Sequence, residues 1–169
     1  MTADPADNVG METYATTFDS PIGRILLVGR ADKLTGLYLD RDPNPAWNVD
    51  EGRLDAVRAQ IEEYFEGART TFDGIELAPQ GTPFQLAVWD ALLEVGYGET
   101  ASYADIARRI GKPTAFRAVG AANGRNPISL IVPCHRVVGS TGSLIGYGWG
   151  VERKSWLLAH EQRAQQLAL

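Results

Sequence analysis

Apolar and polar positions alternate in short runs near the start of the chain and switch to helical spacing in its second half. Over residues 13–39, aliphatic, β-branched and aromatic runs are separated by DSPIG and GRADK, the turn chemistry of a strand meander. A small antiparallel sheet is therefore expected to open the fold. RDPNPAW, with two prolines, reads as a loop. Over residues 53–66, Leu54, Val57, Ile61, Tyr64 and Phe65 recur at helical spacing with charges between them, an amphipathic helix stopped by Gly67. TTFDGIEL reads as a last strand.

Beyond APQGTP the period is helical. In TPFQLAVWDALLEV, Thr82 is placed to cap, Pro83 suits the first helical position, and Phe84, Ala87, Val88, Ala91 and Leu92 form one apolar stripe. GYGET breaks this helix. SYADIARRI, the turn GKPT and AFRAVGAAN then spell two short helices, with Ser102 and Thr114 as caps, in the pattern of a helix-turn-helix. Two packed helices with no DNA partner would carry the same pattern. PISLIVPCHRVV is an apolar run expected to be extended, GSTGSLIGYGWG a glycine-rich loop, and VERKSWLLAHEQRAQQLAL a final helix burying Trp156, Leu157 and His160 on one side. The organisation that follows is a disordered tail over residues 1–10, an N-terminal α/β domain over 11–77, a linker over 78–83 and a C-terminal domain over 84–169.

Composition adds limits. The chain has 169 residues, of which 44% are hydrophobic and 22% charged, an ordinary globular balance, and no apolar run approaches the roughly 20 residues of a membrane span. The polar, acidic start has no apolar signal region, and a single cysteine excludes an internal disulfide, a cysteine-rich zinc site and a CxxC redox pair. A cytoplasmic protein is the default expectation. The net charge of −5 hides a division: residues 1–80 hold 15 acids and 7 bases, residues 81–169 hold 6 acids and 9 bases. Within 101–125, Arg108, Arg109, Lys112, Arg117 and Arg125 face Asp105 alone, a basic cluster suited to phosphates and equally compatible with a solvated helix face.

The lone cysteine, Cys134, lies in LIVPCHRVVGS with His135 and Arg136 behind it. Most buried free cysteines are inert small hydrophobes. A free thiol is only about 3% thiolate at neutral pH, so a reactive one needs a base or a cation. In an extended strand His135 would point away from the sulfur, so a turn after Pro133 or a bridging water would be required. A water relay needs a third group to hold the histidine, usually a carboxylate. Of the six acids in the second half, Glu161, after the apolar face WLLAH, is best placed to be buried, although in isolation it would read as an ordinary exposed glutamate.

VPCHRVVGSTG, preceded by SYADIARRIGKPTAFRAVGAANGRNPI and followed by WLLAHE, closely resembles the O6-alkylguanine-DNA alkyltransferases, also called methylated-DNA-protein-cysteine methyltransferases. The resemblance runs over residues 82–161, and the opening sheet and helix fit that family's less specific N-terminal domain. It implies an α+β fold, with a small ribonuclease-H-like N-terminal domain and a mostly helical, winged-helix-like C-terminal domain. It implies DNA repair by irreversible transfer of an alkyl group from O6-alkylguanine, and from O4-alkylthymine, to Cys134, once per molecule. His135 would deprotonate the thiol through a water, Glu161 would orient His135, and Asn126 would anchor the turn beside the site. Tyr103 would rotate the target nucleotide and Arg117 would fill the gap in the base stack, with the small residues Ala118, Gly120, Ala121 and Ala122 letting the helix enter the minor groove. The remaining DNA and substrate contacts implied are Ala104, Lys112, Arg125, Arg136, Ser140, Tyr147, Gly148 and Trp149. The partner implied is double-stranded DNA bound in the minor groove with the base flipped out, by a protein monomeric in solution. No metal and no cofactor is expected, since the cysteines of the zinc site in some relatives are missing.

Two departures from the family pattern matter. Trp149 stands in GYGWG where many relatives have glycine, and its bulky indole at the pocket rim is expected to disfavour large O6 substituents; Ser129 stands where some relatives have proline. The rival reading is a helix-turn-helix module that senses damage or regulates without chemistry. A Cys-His hydrolase is a third, disfavoured because nothing in the sequence offers an oxyanion hole and the DNA elements would be left unexplained.

Overall fold

A computed structural model of the chain describes residues 12–144 and 147–167. The expected disordered tail, residues 1–10, lies outside the described residues. The meander forms β1 (Thr13–Ser20), β2 (Gly23–Arg30) and β3 (Lys33–Leu39), all antiparallel. A short β4 (Asn48–Val49), which alternation did not signal, pairs parallel with β1, and the order across the sheet is β3-β2-β1-β4. The central strand β2 reads as an unbroken apolar run because both its faces are covered. Ile25 and Leu27 enter the main core, while Leu26 and Val28 pack on the other face beneath Tyr38 and Trp47.

Helix α1 (Asp55–Glu66) lays Val57, Ile61 and Tyr64 into that main core, together with Leu54 at its N-cap, and Gly67 ends it with a left-handed φ of 78°. TTFDGIEL does not form the expected strand. Its backbone is diverted: the Gln60 amide bonds both the N–H and the C=O of Asp73, Gly74 turns at φ 68°, and only Leu77 bridges to Leu34.

Helix α2 (Pro83–Leu92) begins with a full capping box, Thr82 Oγ1 accepting from Gln85 N and Gln85 Oε1 from Thr82 N. Its buried face differs from the stripe expected. Ala87 is exposed, and Trp89 is buried instead, its indole N–H donating to Ala122 O at 2.9 Å. Helix α3 (Tyr103–Arg109) is capped by Ser102 in a second box with Asp105. Thr114 does not cap α4 (Phe116–Gly124): the helix starts after Ala115, whose N–H closes the turn onto Lys112 O. A parallel pair, β5 (Ala101–Ser102) and β6 (Val137–Val138), ties the start of α3 to the segment after Cys134. Helix α5 (Val151–Leu167) buries Lys154, Leu157 and Glu161, with Trp156 and His160 stacked at 5.0 Å and half-buried.

The run PISLIVPCHRVV is not extended. Leu130 reverses the chain at φ 75°, and Cys134–Arg136 form one 3-10 turn. The free edge of β3 grips this segment, Leu37 N donating to Pro127 O at 2.9 Å, so the sheet positions the chain that carries the cysteine. The fold is of the α+β class, and one continuous core runs from the sheet and α1 through to α2, α3, α4 and α5. Among the described residues no helix is long and apolar enough to cross a membrane.

Candidate active site

Asn126 builds the site from below. It is 8% exposed; its side-chain N–H donates to Val132 O at 2.8 Å and its oxygen accepts from Ile128 N at 3.0 Å, closing the loop that holds Leu130 left-handed. A left-handed non-glycine residue costs about 1–3 kcal/mol and persists only when its surroundings over-determine it. Pro133 then directs the chain into the 3-10 turn, and Asn123 of α4 donates to Cys134 O at 3.3 Å.

Cys134 is 2% exposed, and its sulfur lies 3.8 Å from Ser129 Oγ. Burial raises the thiol pKa, opposed in part by hydrogen bonds from Asn126 and Ser129 and by the charge of Lys154. The resting group is a thiol and needs a base to react. It opens onto a cavity of about 310 Å³ lined in addition by Tyr38, Asn123, Arg125, Tyr147, Gly148 and Trp149. At Gly148 a Cβ would meet only Gly124 O, at 3.4 Å. Trp149 meets Tyr147 edge-on at 5.8 Å.

Although the turn after Pro133 exists, the imidazole of His135 turns to α5 and not onto the sulfur. His135 Nε2 lies 2.7 Å from Glu161 Oε1, with both side chains sealed from solvent. Burial on its own would raise the Glu161 carboxyl, but hydrogen bonds and charge from His135 and Arg136 hold it at about 2. An ionised carboxylate can only accept, so Nε2 carries the ring proton and Nδ1 is left as an acceptor, buried and without a hydrogen-bond partner among the described residues. Burial lowers the His135 pKa, against the opposing pull of Glu161, so the ring is neutral at physiological pH.

Glu161 is saturated. Arg136 reaches Oε2 through Nε at 3.0 Å and Oε1 through its terminal nitrogen at 2.9 Å, Tyr64 OH donates to Oε1 at 2.8 Å, and Gly98 N to Oε2 at 3.2 Å. Arg136 also donates to Val95 O at 2.7 Å, so it belongs to the support of Glu161. Lys154, fully buried on α5, donates to Val137 O beside the turn and stands 5.7 Å over the Tyr147 ring.

Of the other residues singled out in the sequence, Tyr103 is half-buried at the start of α3. Its ring lies 3.7 Å from where a Gly120 Cβ would stand, and burial followed by the charge of Cys134 raises its hydroxyl pKa. Lys112, Arg117, Ala121 and Arg125 are exposed on the α3–α4 surface, Ala104 is half-buried there, and Ser140 is exposed after β6, outside the cavity lining. Sequence reasoning missed Tyr38, Tyr64, Asn123 and Lys154. Tyr64 and Lys154 were hidden by looking like a core aromatic and a solvated cation; Tyr38 and Asn123 come from elements that approach the cysteine only in three dimensions. Among the described residues no three of His, Cys, Asp and Glu converge to hold a metal ion.

A helix-turn-helix with a basic surface, backed by a buried thiol and a histidine-carboxylate couple, defines a DNA-binding protein built around a reactive cysteine. Comparison with known proteins agrees. The sequence profile of the 6-O-methylguanine DNA methyltransferase DNA binding domain matches residues 83–163, and that of the ribonuclease-like domain of 6-O-methylguanine DNA methyltransferase matches residues 13–79. The methylated-DNA–protein-cysteine methyltransferase of Mycobacterium bovis is 50% identical over 150 residues, 86% of this chain and 90% of the relative. That of Haemophilus influenzae is 42% identical over 154 residues, 88% of this chain and 86% of the relative. The crystal structure of Mycobacterium tuberculosis OGT in complex with DNA superposes with a TM-score of 0.84 at 48% identity, covering 89% of this chain and 94% of the other. The chain belongs to the 6-O-methylguanine DNA methyltransferase family.

Proposed function

We propose that the protein repairs alkylated DNA directly, moving the alkyl group of O6-alkylguanine, and of O4-alkylthymine, onto Cys134 in a single irreversible turnover. The observation that carries this reading is one buried sulfur in the lining of a cavity of about 310 Å³, room for one base, with a neutral histidine held by an ionised carboxylate next to it in the chain. The thiol proton passes through a bridging water to His135 Nδ1, and Glu161 stabilises the imidazolium that forms. The thiolate attacks the alkyl carbon; the S–C bond forms as the C–O bond breaks, and the electron pair goes to the guanine oxygen. Tyr147 lines the same cavity, and its hydroxyl, buried without a partner among the described residues, is the donor for that oxygen. The product thioether has no route back to a thiol in this site, so each molecule acts once.

For the base to reach the sulfur it leaves the duplex, at a cost of a few kcal/mol. The exposed cations of α3 and α4 hold the phosphates, Tyr103 rotates the nucleotide, and Arg117 takes the vacated place in the stack. Gly120 and Ala121 let α4 approach closely in the minor groove, where little sequence is read, as suits a repair protein. The protein works as a cytoplasmic monomer.

Incubation with a duplex carrying tritium-labelled O6-methylguanine should leave one label per molecule on Cys134, none on the Cys134→Ser variant, and no further turnover. Binding of the damaged duplex without label transfer would instead indicate a recognition module, and repeated product release a hydrolase.

A further inference from the structure

Tyr64 belongs to α1, in the N-terminal half, yet its hydroxyl donates to Glu161 Oε1 at 2.8 Å across 97 positions of sequence. That is the same oxygen that meets His135 Nε2 at 2.7 Å. The ring is held from all sides: Phe65, Phe72, Tyr97 and His160 lie 5.2–6.0 Å from its centroid, and His160 Nε2 bonds its carbonyl at 2.7 Å. Packing alone would be served by phenylalanine. The hydroxyl, fully buried, is aimed at one charged oxygen.

We infer that Tyr64 is a positioning residue for the proton relay, a hydroxyl that the N-terminal domain supplies to set how strongly Glu161 holds His135. The inference rests on the relay reading of Cys134, His135 and Glu161 and extends it. Glu161 faces His135 and Arg136 from the 3-10 turn and Tyr64 from α1, and its charge also reaches Tyr97 and Tyr147; His135 further feels Lys154 of α5. Burial and the Glu161 charge push the Tyr64 hydroxyl well above its ordinary pKa of 10, so it stays a donor throughout the working range. Each neutral donor to a carboxylate draws off charge that would otherwise favour the imidazolium. Tyr64 therefore keeps His135 neutral, and it fixes Oε1 so that the ring tautomer leaves Nδ1 as the acceptor. It also gives the N-terminal domain a part in the chemistry beyond support of the core.

The test compares single-turnover transfer from O6-methylguanine duplex between pH 5 and 8.5 for the full-length protein and its Tyr64→Phe, Phe72→Leu and Glu161→Gln variants, with thermal melts of each. Removing the Tyr64 hydroxyl concentrates the carboxylate charge on His135, so the acid limb of the rate profile should move up by about 0.5–1 pH unit. At the acid end of the profile, pH 5, the rate should then fall by up to about threefold to tenfold, with little loss at pH 8. The ¹⁵N shifts of the His135 imidazole should titrate higher by the same amount, a readout that does not require transfer. Phe72→Leu loosens the same ring cluster without touching the carboxylate; it should lower the melting temperature and leave the limb in place. If Tyr64→Phe leaves both the limb and the imidazole titration where they are while Glu161→Gln shifts them, Tyr64 is structural and the inference is overturned. If Glu161→Gln moves neither, the relay itself is wrong and the inference falls with it.

Discussion

Glu161 Oε1 sits 2.7 Å from His135 Nε2, 26 positions away in sequence, with 0% of the histidine and 1% of the glutamate side chain exposed. A carboxylate in that position is affordable only because it is fully bonded, and its titration is coupled to folding.

The Glu161 pKa is about 2 in the folded protein against an ordinary 4.5. A depressed folded value adds stability that is complete above the ordinary value and disappears as pH falls through 4.5 toward 2, on the order of 3 kcal/mol for this group. Melts of the wild type should drop across that window. Glu161→Gln should be destabilised by a similar amount at pH 7 and show a flatter profile below pH 5.

His135 is buried and its pKa lies below the ordinary 6.5. The single-turnover transfer rate should be level between pH 7 and 8 and decline on acidification with a midpoint below 6.5, as the ring takes up a proton and ceases to accept one from the thiol. His135→Ala should cost about 100-fold at pH 7, the lower range for a lost general base. A midpoint above 6.5 would sink this assignment.

Asn126 satisfies Val132 O and Ile128 N beneath the cysteine. Asn126→Ala leaves both backbone groups buried and unpaired, for a loss of about 2–3 kcal/mol. In a chain of this length that corresponds to a fall of about 5–10 °C in melting temperature, measurable by calorimetry, with transfer to Cys134 slowed as the turn loosens.

Trp149 borders the Cys134 cavity, wedged against Tyr147. Transfer from O6-methylguanine should be much faster than from O6-benzylguanine. Trp149→Gly should raise the benzyl rate about tenfold or more and leave the methyl rate within about twofold, in line with what one pocket wall can discriminate. Equal wild-type rates on the two substrates would refute it.

Arg117 is exposed on α4, away from the cavity lining. Arg117→Ala should weaken binding to duplex DNA and slow single-turnover repair in it, because nothing then fills the place of the flipped-out base. Reaction with a free O6-alkylguanine base should be unchanged, because no stack needs filling.

Local rules settled much of this protein from sequence. The caps Thr82 and Ser102 and α1 with its Gly67 stop depend on neighbours within four residues, and the meander strands are marked by alternation and by the turns between them, so period and composition were enough to read them. The motif around Cys134, with the basic helix pair and Glu161, pointed to the chemistry, because those residue types in that order are rare outside one family. What failed at this level failed for want of distant partners. TTFDGIEL has strand composition, but the Gln60 side chain takes the bonds of Asp73. LIVPCHRVV looks like a strand, but Asn126 imposes a loop and a 3-10 turn.

Tertiary structure decided which further polar groups lie inside. Glu161 was already the acid best placed for burial by sequence, but Lys154 is an ordinary helix-surface residue by spacing, and it is buried because the carbonyl of Val137 presents it with a partner. Tyr64 looks like any core aromatic until α1 packs against α5 and brings its hydroxyl to the carboxylate. The sequence had already turned His135 from the sulfur and, through the resemblance, paired it with Glu161; the fold decided how, with a 3-10 turn in place of a strand and with Arg136, Tyr64 and the Gly98 N–H bonding the carboxylate. The reason is energetic: a buried charge must be met by several hydrogen bonds at once, and only chain segments far apart in sequence, packed together, can supply them.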